Sequence, residues 1–404
     1  MAHRTILTPK QREVLFGLPA DEAQLLKHYT LSDEDLDHIG QRRRPRNRLG
    51  FALQLCALRY PGRALLPGEV IPVEIADFLA AQLGLKDADL DAYAAREETR
   101  HEHMASLRQL YGYRTFSGRG ARDLKLWLHG QAEHAVSNED IARRFVEECR
   151  RTLTILPAIS TIERLCADAL VAAEKRIETR IADRLSDDEC VALDDLLFEM
   201  VEDRLTRFVW LRKFEVGNNS AAARRLLDRL DYLRKIDVSP DAFHDVPDHR
   251  ITRLRRQGER YFADGLRDLP GDRRHAILAV CVSEWRRAIA DAVVETHDRI
   301  VGRTWREAAR LCDDRMDGAQ PEVQKTLRSF RDMGAALLEA KNDDVSLEDA
   351  ISSSPGWTDL QTLVAVAARL TDTLSSDPIT HVVQGHKRFR RYAPRMLRLL
   401  EIDG

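Results

Sequence analysis

Aromatic residues are scarce, long apolar runs are missing and no cysteines are paired in motifs, and each absence removes a class of protein. Tryptophan, tyrosine and phenylalanine together make up 6% of the 404 residues. No stretch reaches the roughly 18 consecutive apolar residues of a membrane-spanning helix, so no membrane span is expected. The six cysteines, at 56, 149, 166, 190, 281 and 312, never fall into a CxxC spacing. Zinc and redox pairing are therefore not indicated, and small buried thiols are expected. The opening MAHRTILTPKQRE has no apolar core of a signal peptide, which points to a cytoplasmic protein. In that compartment Asn218-Asn219-Ser220 has no meaning as a glycosylation site. Alternating β-branched runs, the mark of strands, are nearly absent.

Helix-start signals are plentiful. A Ser or Thr oxygen can accept from the free amides of a first turn, and an acid or amide three residues on can return the bond. Such pairs occur at Thr8 with Gln11, Ser32 with Asp35, Ser137 with Asp140, Ser160 with Glu163, Ser186 with Glu189, Thr304 with Glu307, and Ser346 with Asp349. Apolar residues follow at three- and four-residue spacing, as in Leu49, Leu53, Cys56, Ala57 and Tyr60. The expectation is an all-α, multi-domain protein of helical modules joined by long helices. Breaks at Pro/Gly clusters divide it into a first module over 1–85, a second over 86–157, a long helical connector over 158–239 and a further helical domain over 240–404.

The net charge of −3 averages over segregated stretches. From His38 to Pro67 there are seven arginines (42, 43, 44, 46, 48, 59 and 63) and no carboxylate. From His386 to Leu400 there are six basic residues, again without a carboxylate, whereas Asp183 to Asp203 holds nine carboxylates and one arginine. The first basic segment sits between an expected helix over 32–40 and a second over 49–60. A helix-turn-helix delivers side chains to DNA in this way, its second helix entering the major groove amino end first. Arg46, Asn47 and Arg48 are candidates for base contacts, and Arg42, Arg43 and Arg44 for phosphate contacts, with Arg59 and Arg63 completing the basic segment. The competing reading is a solvated turn whose arginines cap a helix. A second cationic patch runs through Arg108, Arg114, Arg119, Arg122 and Lys125, and a third joins Lys387, Arg388, Arg390 and Arg391 to Phe389 and Tyr392. For both, an ordinary basic surface is the alternative.

Catalytic signatures are missing. The acids Asp194, Asp195, Glu199, Glu202 and Asp203 lie along helical sequence and read as a solvated face, because a two-metal nuclease site needs carboxylates brought together from separate strands and helices around two metals about 4 Å apart. Glu98-x-x-His101 has di-iron spacing, but a second copy is lacking, and His101-Glu102-His103 reads as surface or DNA-proximal. No Gly-Lys-Ser/Thr phosphate loop and no Gly-x-Ser-x-Gly elbow occurs. Catalysis by this chain alone is not expected, and no cofactor is expected in it.

At particular residues the chain resembles a known family. Leu7-Thr8-Pro9 with Phe16-Gly17-Leu18-Pro19, His28-Tyr29-Thr30-Leu31-Ser32, Asn47 to Cys56, Leu58-Arg59-Tyr60-Pro61-Gly62-Arg63, Gln82-Leu83-Gly84-Leu85, Leu110-Tyr111-Gly112-Tyr113 and Leu156-Pro157 resemble the amino-terminal region of Tn-three family transposases. The resemblance is dense over 4–170 and looser beyond. It implies recognition of terminal inverted repeats in double-stranded DNA by amino-terminal helical modules, in a bacterial, nucleoid-associated protein. It also implies a ribonuclease-H-like domain further along, where magnesium is expected, and a chain truncated before it. The alternative is a non-catalytic helical scaffold that pairs with itself or with intact transposase.

Overall fold

The structure is a computed structural model that describes residues 5–401 except 20, 67, 86–96, 203–204, 237, 344–345, 354–355 and 375–376. The all-α expectation holds. The exceptions among the described residues are a short antiparallel pair, β1 (Met200–Glu202) with β2 (Leu205–Thr206), and an isolated bridge between Arg114 and Thr154. The chain divides into two compact units: Met1–Arg184 with Asp241–Arg253 and Gly271–Ala276, and Leu185–Pro240 with Leu254–Pro270 and Ile277–Gly404. Of the four expected segments, the boundary between 85 and 86 meets residues outside those described. The stretch 158–239, expected as one connector, is shared between the two units.

The first unit holds α1 (Pro9–Phe16), α2 (Glu22–His28), α3 (Asp33–Gly40), α4 (Pro45–Arg59), α5 (Val73–Gln82), α6 (Glu97–Tyr111), α7 (Gly118–Gln131), α8 (Asn138–Arg151) and α9 (Ile159–Ala182). Thr8 and Ser32 close full capping boxes with Gln11 and Asp35, and Ser137 caps α8 through the Asp140 amide. Ser160 does not cap. The helix begins one residue earlier, at Ile159 after Ala158, and Glu163 turns inward to accept from the Leu7 amide at 3.1 Å and from the Arg12 guanidinium at 2.7 Å.

Two apolar cores result. One gathers Leu25, Tyr29, Ile39, Leu49, Phe51, Leu53, Leu55, Ile75, Leu79 and Leu107 from α2 to α6. Helix α4 is its axis, since every residue from Leu49 to Leu58 is buried. The other joins Leu7, Leu15 and Phe16 to Leu124, Leu128, Ile141, Phe145, Ile162, Leu165 and Cys166, so α1 packs with the bundle α7–α9 rather than with the helices that follow it. Arg250 is 3% exposed. It fastens the turn after α7 by donating to the carbonyls of Ala132 and Glu133.

The second unit holds α10 (Asp187–Phe198), the β pair, α11 (Arg207–Arg212) and α12 (Ser220–Lys235). Beyond these come the later residues of α13 (Asp248–Arg260), then α14 (Ala263–Arg267), most of α15 (Gly271–Asn342), α16 (Leu347–Ser353), α17 (Trp357–Leu374), α18 (Pro378–Gln384), α19 (Lys387–Arg390) and α20 (Ala393–Leu399). Ser186 forms the expected capping box with Glu189, and Asn219 caps α12 through the Ala222 amide. Thr304 is not a helix start. It lies inside α15, buried, and its hydroxyl donates to the Ile300 carbonyl at 2.8 Å, the back-bond that threonine makes when a helix runs through it. Phe208 stacks edge-on against Trp285 in the core. No helix among the described residues is long and apolar enough to cross a membrane, and five of the six cysteines are buried.

Candidate nucleic-acid interface

The seven arginines of the first basic segment meet different fates. Arg59 forms a bidentate pair with Asp35, at 2.7 and 2.8 Å. Asp35 is 1% exposed and also accepts from the Ser32 amide at 2.8 Å and the Tyr111 hydroxyl at 2.9 Å. Burial would raise its pKa, but these hydrogen bonds outweigh burial and hold the carboxyl at about 2. Arg63 pairs with Glu69 and donates to the Phe16 carbonyl. Both guanidiniums are engaged within the fold. The carboxylate-free window from 38 to 67 concealed this, because one partner precedes it and the other follows it.

Arg42 is also anchored. Its guanidinium lies 4.2 Å over the Phe51 ring and donates to the Ser106 hydroxyl at 2.7 Å. Arg48 donates to the Arg42 carbonyl at 2.8 Å, so the two hold the turn in one shape. His103 lies edge-on to the Phe51 ring and is 4% exposed, which corrects its reading as a surface residue. Burial, and then the Arg42 charge, lower its pKa to about 4. The turn leaves Arg43 and Arg44 exposed and Arg46 and Asn47 half-exposed, with no ion pair to any described residue. Burial of α4 from Leu49 onward leaves only its first turn, with Arg46 and Asn47, open to solvent.

The second patch lies on α7. Ala121, Leu124 and Leu128 face the core, while Arg119, Arg122 and Lys125 face solvent. Arg119, 95% exposed at its side chain, comes no closer than 3.9 Å to Asp123. Arg122 and Lys125 pair with no described residue. The neighbouring helices differ. In α8, Arg143 and Arg144 pair with Asp140, and Arg151 pairs with Glu148. In α9, Arg176 and Arg180 share Glu133. Arg114 is exposed, and its backbone bridges to Leu153 and Ile155. Arg108 is exposed on α6.

In the second unit the third patch is only partly available. Arg388 pairs with Glu307 at 2.6 Å, while Lys387, Arg390 and Arg391 are exposed. The interleaved aromatics are used internally: Tyr392 is 1% exposed and its hydroxyl meets the His297 ring at 3.0 Å, and Phe389 packs against the same ring. Of the acidic stretch, Glu199 pairs with Arg207 and accepts from Tyr232. No group of three or more His, Cys, Asp or Glu able to hold a metal ion is found among the described residues. Asp203 lies outside them.

A family profile described as a domain of unknown function (DUF4158) matches residues 6–169, the part of the chain that carries the first two patches. The chain is 30% identical over 405 residues to the transposase for transposon Tn3926 of Escherichia coli, covering 100% of this chain and 41% of that protein. It is 30% identical over 402 residues to the transposase for transposon Tn501 of Pseudomonas aeruginosa, covering 100% of this chain and 41% of that one. The transposase for transposon Tn1546 of Enterococcus faecium is 28% identical, over 98% of this chain and 40% of its own length. The chain thus spans about two fifths of the length of the curated relatives it matches.

Proposed function

We propose that this chain, similar along its whole length to Tn-three family transposases of which it spans about two fifths, is a module that binds the terminal inverted repeats of a transposon as double-stranded DNA. The observation that carries this is where unpaired charge remains. Arg43 and Arg44, with the half-exposed Arg46, on one turn, and Arg122 and Lys125 on one helix, have no ion pair to a described residue, and Arg119 on that helix reaches only the exposed Asp123 at 3.9 Å. Unpaired cations at a surface are what a phosphate backbone requires, and each neutralised phosphate releases counterions.

Binding to a duplex should therefore weaken steeply with salt. If Arg43, Arg44, Arg46 and Lys125 each neutralise one phosphate, the slope of log affinity against log salt should be about −3.6, a loss on the order of a hundredfold between about 50 and 200 mM. A titration in which affinity is flat across that range contradicts the proposal.

A second reading, association of two copies, is favoured by one observation in the second unit. Val294, Trp305, Met316, Leu327 and Leu338 recur every eleven residues along α15, and all are among the exposed large apolar residues. An eleven-residue repeat keeps a stripe on one helix face with slight right-handed drift, which suits helix pairing. Light scattering at micromolar concentration should then give a dimer mass, reverting to monomer in Trp305→Glu. A monomer for the parent chain contradicts this reading.

A further inference from the structure

We propose that α7, Gly118–Gln131, is the helix that enters the DNA major groove, and that the arginine turn before α4 grips the phosphate backbone without reading sequence. This rests on the DNA-binding reading above and says which surface of the first unit carries the specificity.

Groove entry has a geometric requirement that α4 does not meet. A helix that lies along the major groove, about 12 Å wide, presents an exposed face over several turns. On α4 that length is enclosed by α3, α5 and α6 and filled with Leu49, Phe51, Leu53, Leu55 and Leu58. Helix α7 has the opposite character. Its inner face rests on α8 and α9 through Ala121, Leu124 and Leu128. Arg119, Arg122, Leu126 and Gly130 follow one another at spacings of three and four residues, which places them on one outer face. Lys125 flanks that face.

The chemistry of this face suits base edges. An arginine fork matches the two acceptors of guanine, and an apolar side chain matches the thymine methyl. Leu126 is 76% exposed, a large apolar group with no packing role in the unit, one helical turn from Arg122. A Cβ built on Gly130 meets nothing within 4 Å, nor does one on Gly118 or Gly120, so the face is open at both ends. The amino end adds to this: Ser117 places no side-chain cap on the first amides, and exposed helix amides favour an approaching phosphate. Asp123 is the one acid on α7, against Arg119, Arg122 and Lys125.

The turn 43–46 is built for the other task. Arg42 stacked on Phe51 and Arg48 bonded to the Arg42 carbonyl fix its backbone. Arg43 and Arg44 then project as cations from a rigid loop, with no exposed helix face behind them to follow a groove. Phosphate contacts position a protein and carry no direct sequence information.

The test is selection from a random-sequence duplex pool with the full chain and three variants, together with their affinity for the unselected pool. The parent chain is expected to enrich a consensus. Arg43→Ala/Arg44→Ala/Arg46→Ala should enrich the same consensus, with affinity for all duplexes lowered on the order of a hundredfold and a salt slope shallower by about 3. Arg119→Ala/Arg122→Ala/Leu126→Ala should bind the unselected pool but lose the consensus. Arg122→Lys keeps the charge and loses the fork, and should drop preference at one guanine by about tenfold. Because these side chains are exposed, folding is checked by helical circular dichroism, and Arg122→Lys provides a variant with unchanged charge. The inference is overturned if the α7 variants enrich the parent consensus unchanged, or if the turn variant loses it. Failure of the parent chain to retain the pool overturns the DNA-binding reading itself, a result distinct from either.

Discussion

Replacing Asp35 by alanine is expected to destabilise the first unit by about 3–5 kcal/mol, the range for removing one partner of a buried ion pair. Asp35 is the point where three elements meet. Its backbone lies in the first turn of α3, its oxygens hold Arg59 at the end of α4, and it accepts from Tyr111 at the end of α6. Removing the carboxylate leaves the Arg59 guanidinium, 31% exposed at its side chain, beside the Tyr111 ring without the anion that paired with it. Urea unfolding of the parent, Asp35→Ala and the double variant Asp35→Leu/Arg59→Met should place the double variant closer to the parent than the single one, because exchanging both charges leaves neither unpaired. A single variant within about 0.5 kcal/mol of the parent would mean that the pair is not a keystone. The same triad sets the direction of α4, so Asp35→Ala should also weaken DNA binding without any change to an arginine of the turn.

The second large effect depends on pH. Burial and the Arg42 charge hold the His103 pKa at about 4 in the folded core, against an ordinary value of 6.5 for the unfolded chain. Between those values the unfolded chain binds more protons, so the stability present above pH 6.5 is lost as pH falls toward 4. The loss between pH 7 and 5 should be about 2 kcal/mol, from ~1.36 kcal/mol per pK step. His103→Gln, which cannot take up the proton, should remove that part of the acid slope. Asp35 acts lower: its contribution is complete above the ordinary aspartate value of 3.8 and disappears as pH falls toward about 2. Denaturation midpoints of parent and His103→Gln at the two pH values check this, and identical acid slopes contradict it. Because His103 packs against Phe51, which supports Arg42, acid should loosen the arginine turn before it unfolds the second core.

Local chemistry was the legible part. Caps at Thr8, Ser32, Ser137 and Ser186 depend on residues three apart, and the helices start where those pairs stand. The same signal misplaced Thr304, because a hydroxyl can equally bond back to a carbonyl four residues earlier inside a continuing helix. Ser160 misled because the helix had already begun at Ile159. Burial on every side of α4 was not legible, since its three- and four-residue apolar spacing is shared by helices with one exposed face. What encloses it comes from α3, α5 and α6, and that is a tertiary fact. The basic segment was visible as a whole, but its division was not. Arg59 and Arg63 find partners 24 and 6 residues away, and only the fold separates them from Arg43, Arg44 and Arg46. Leu126 was overlooked because one leucine in an amphipathic stretch reads as core until its side is known.

The most direct test of the central claim is an anisotropy titration of the full chain against a duplex carrying the terminal repeat of the element that encodes it, beside a scrambled duplex of equal length and composition. We expect binding to the repeat to be tighter on the order of a thousandfold, the lower end for specific recognition, and binding to both to weaken with salt. Equal affinity for the two duplexes, or affinity for neither, would contradict the claim that this chain recognises a transposon end.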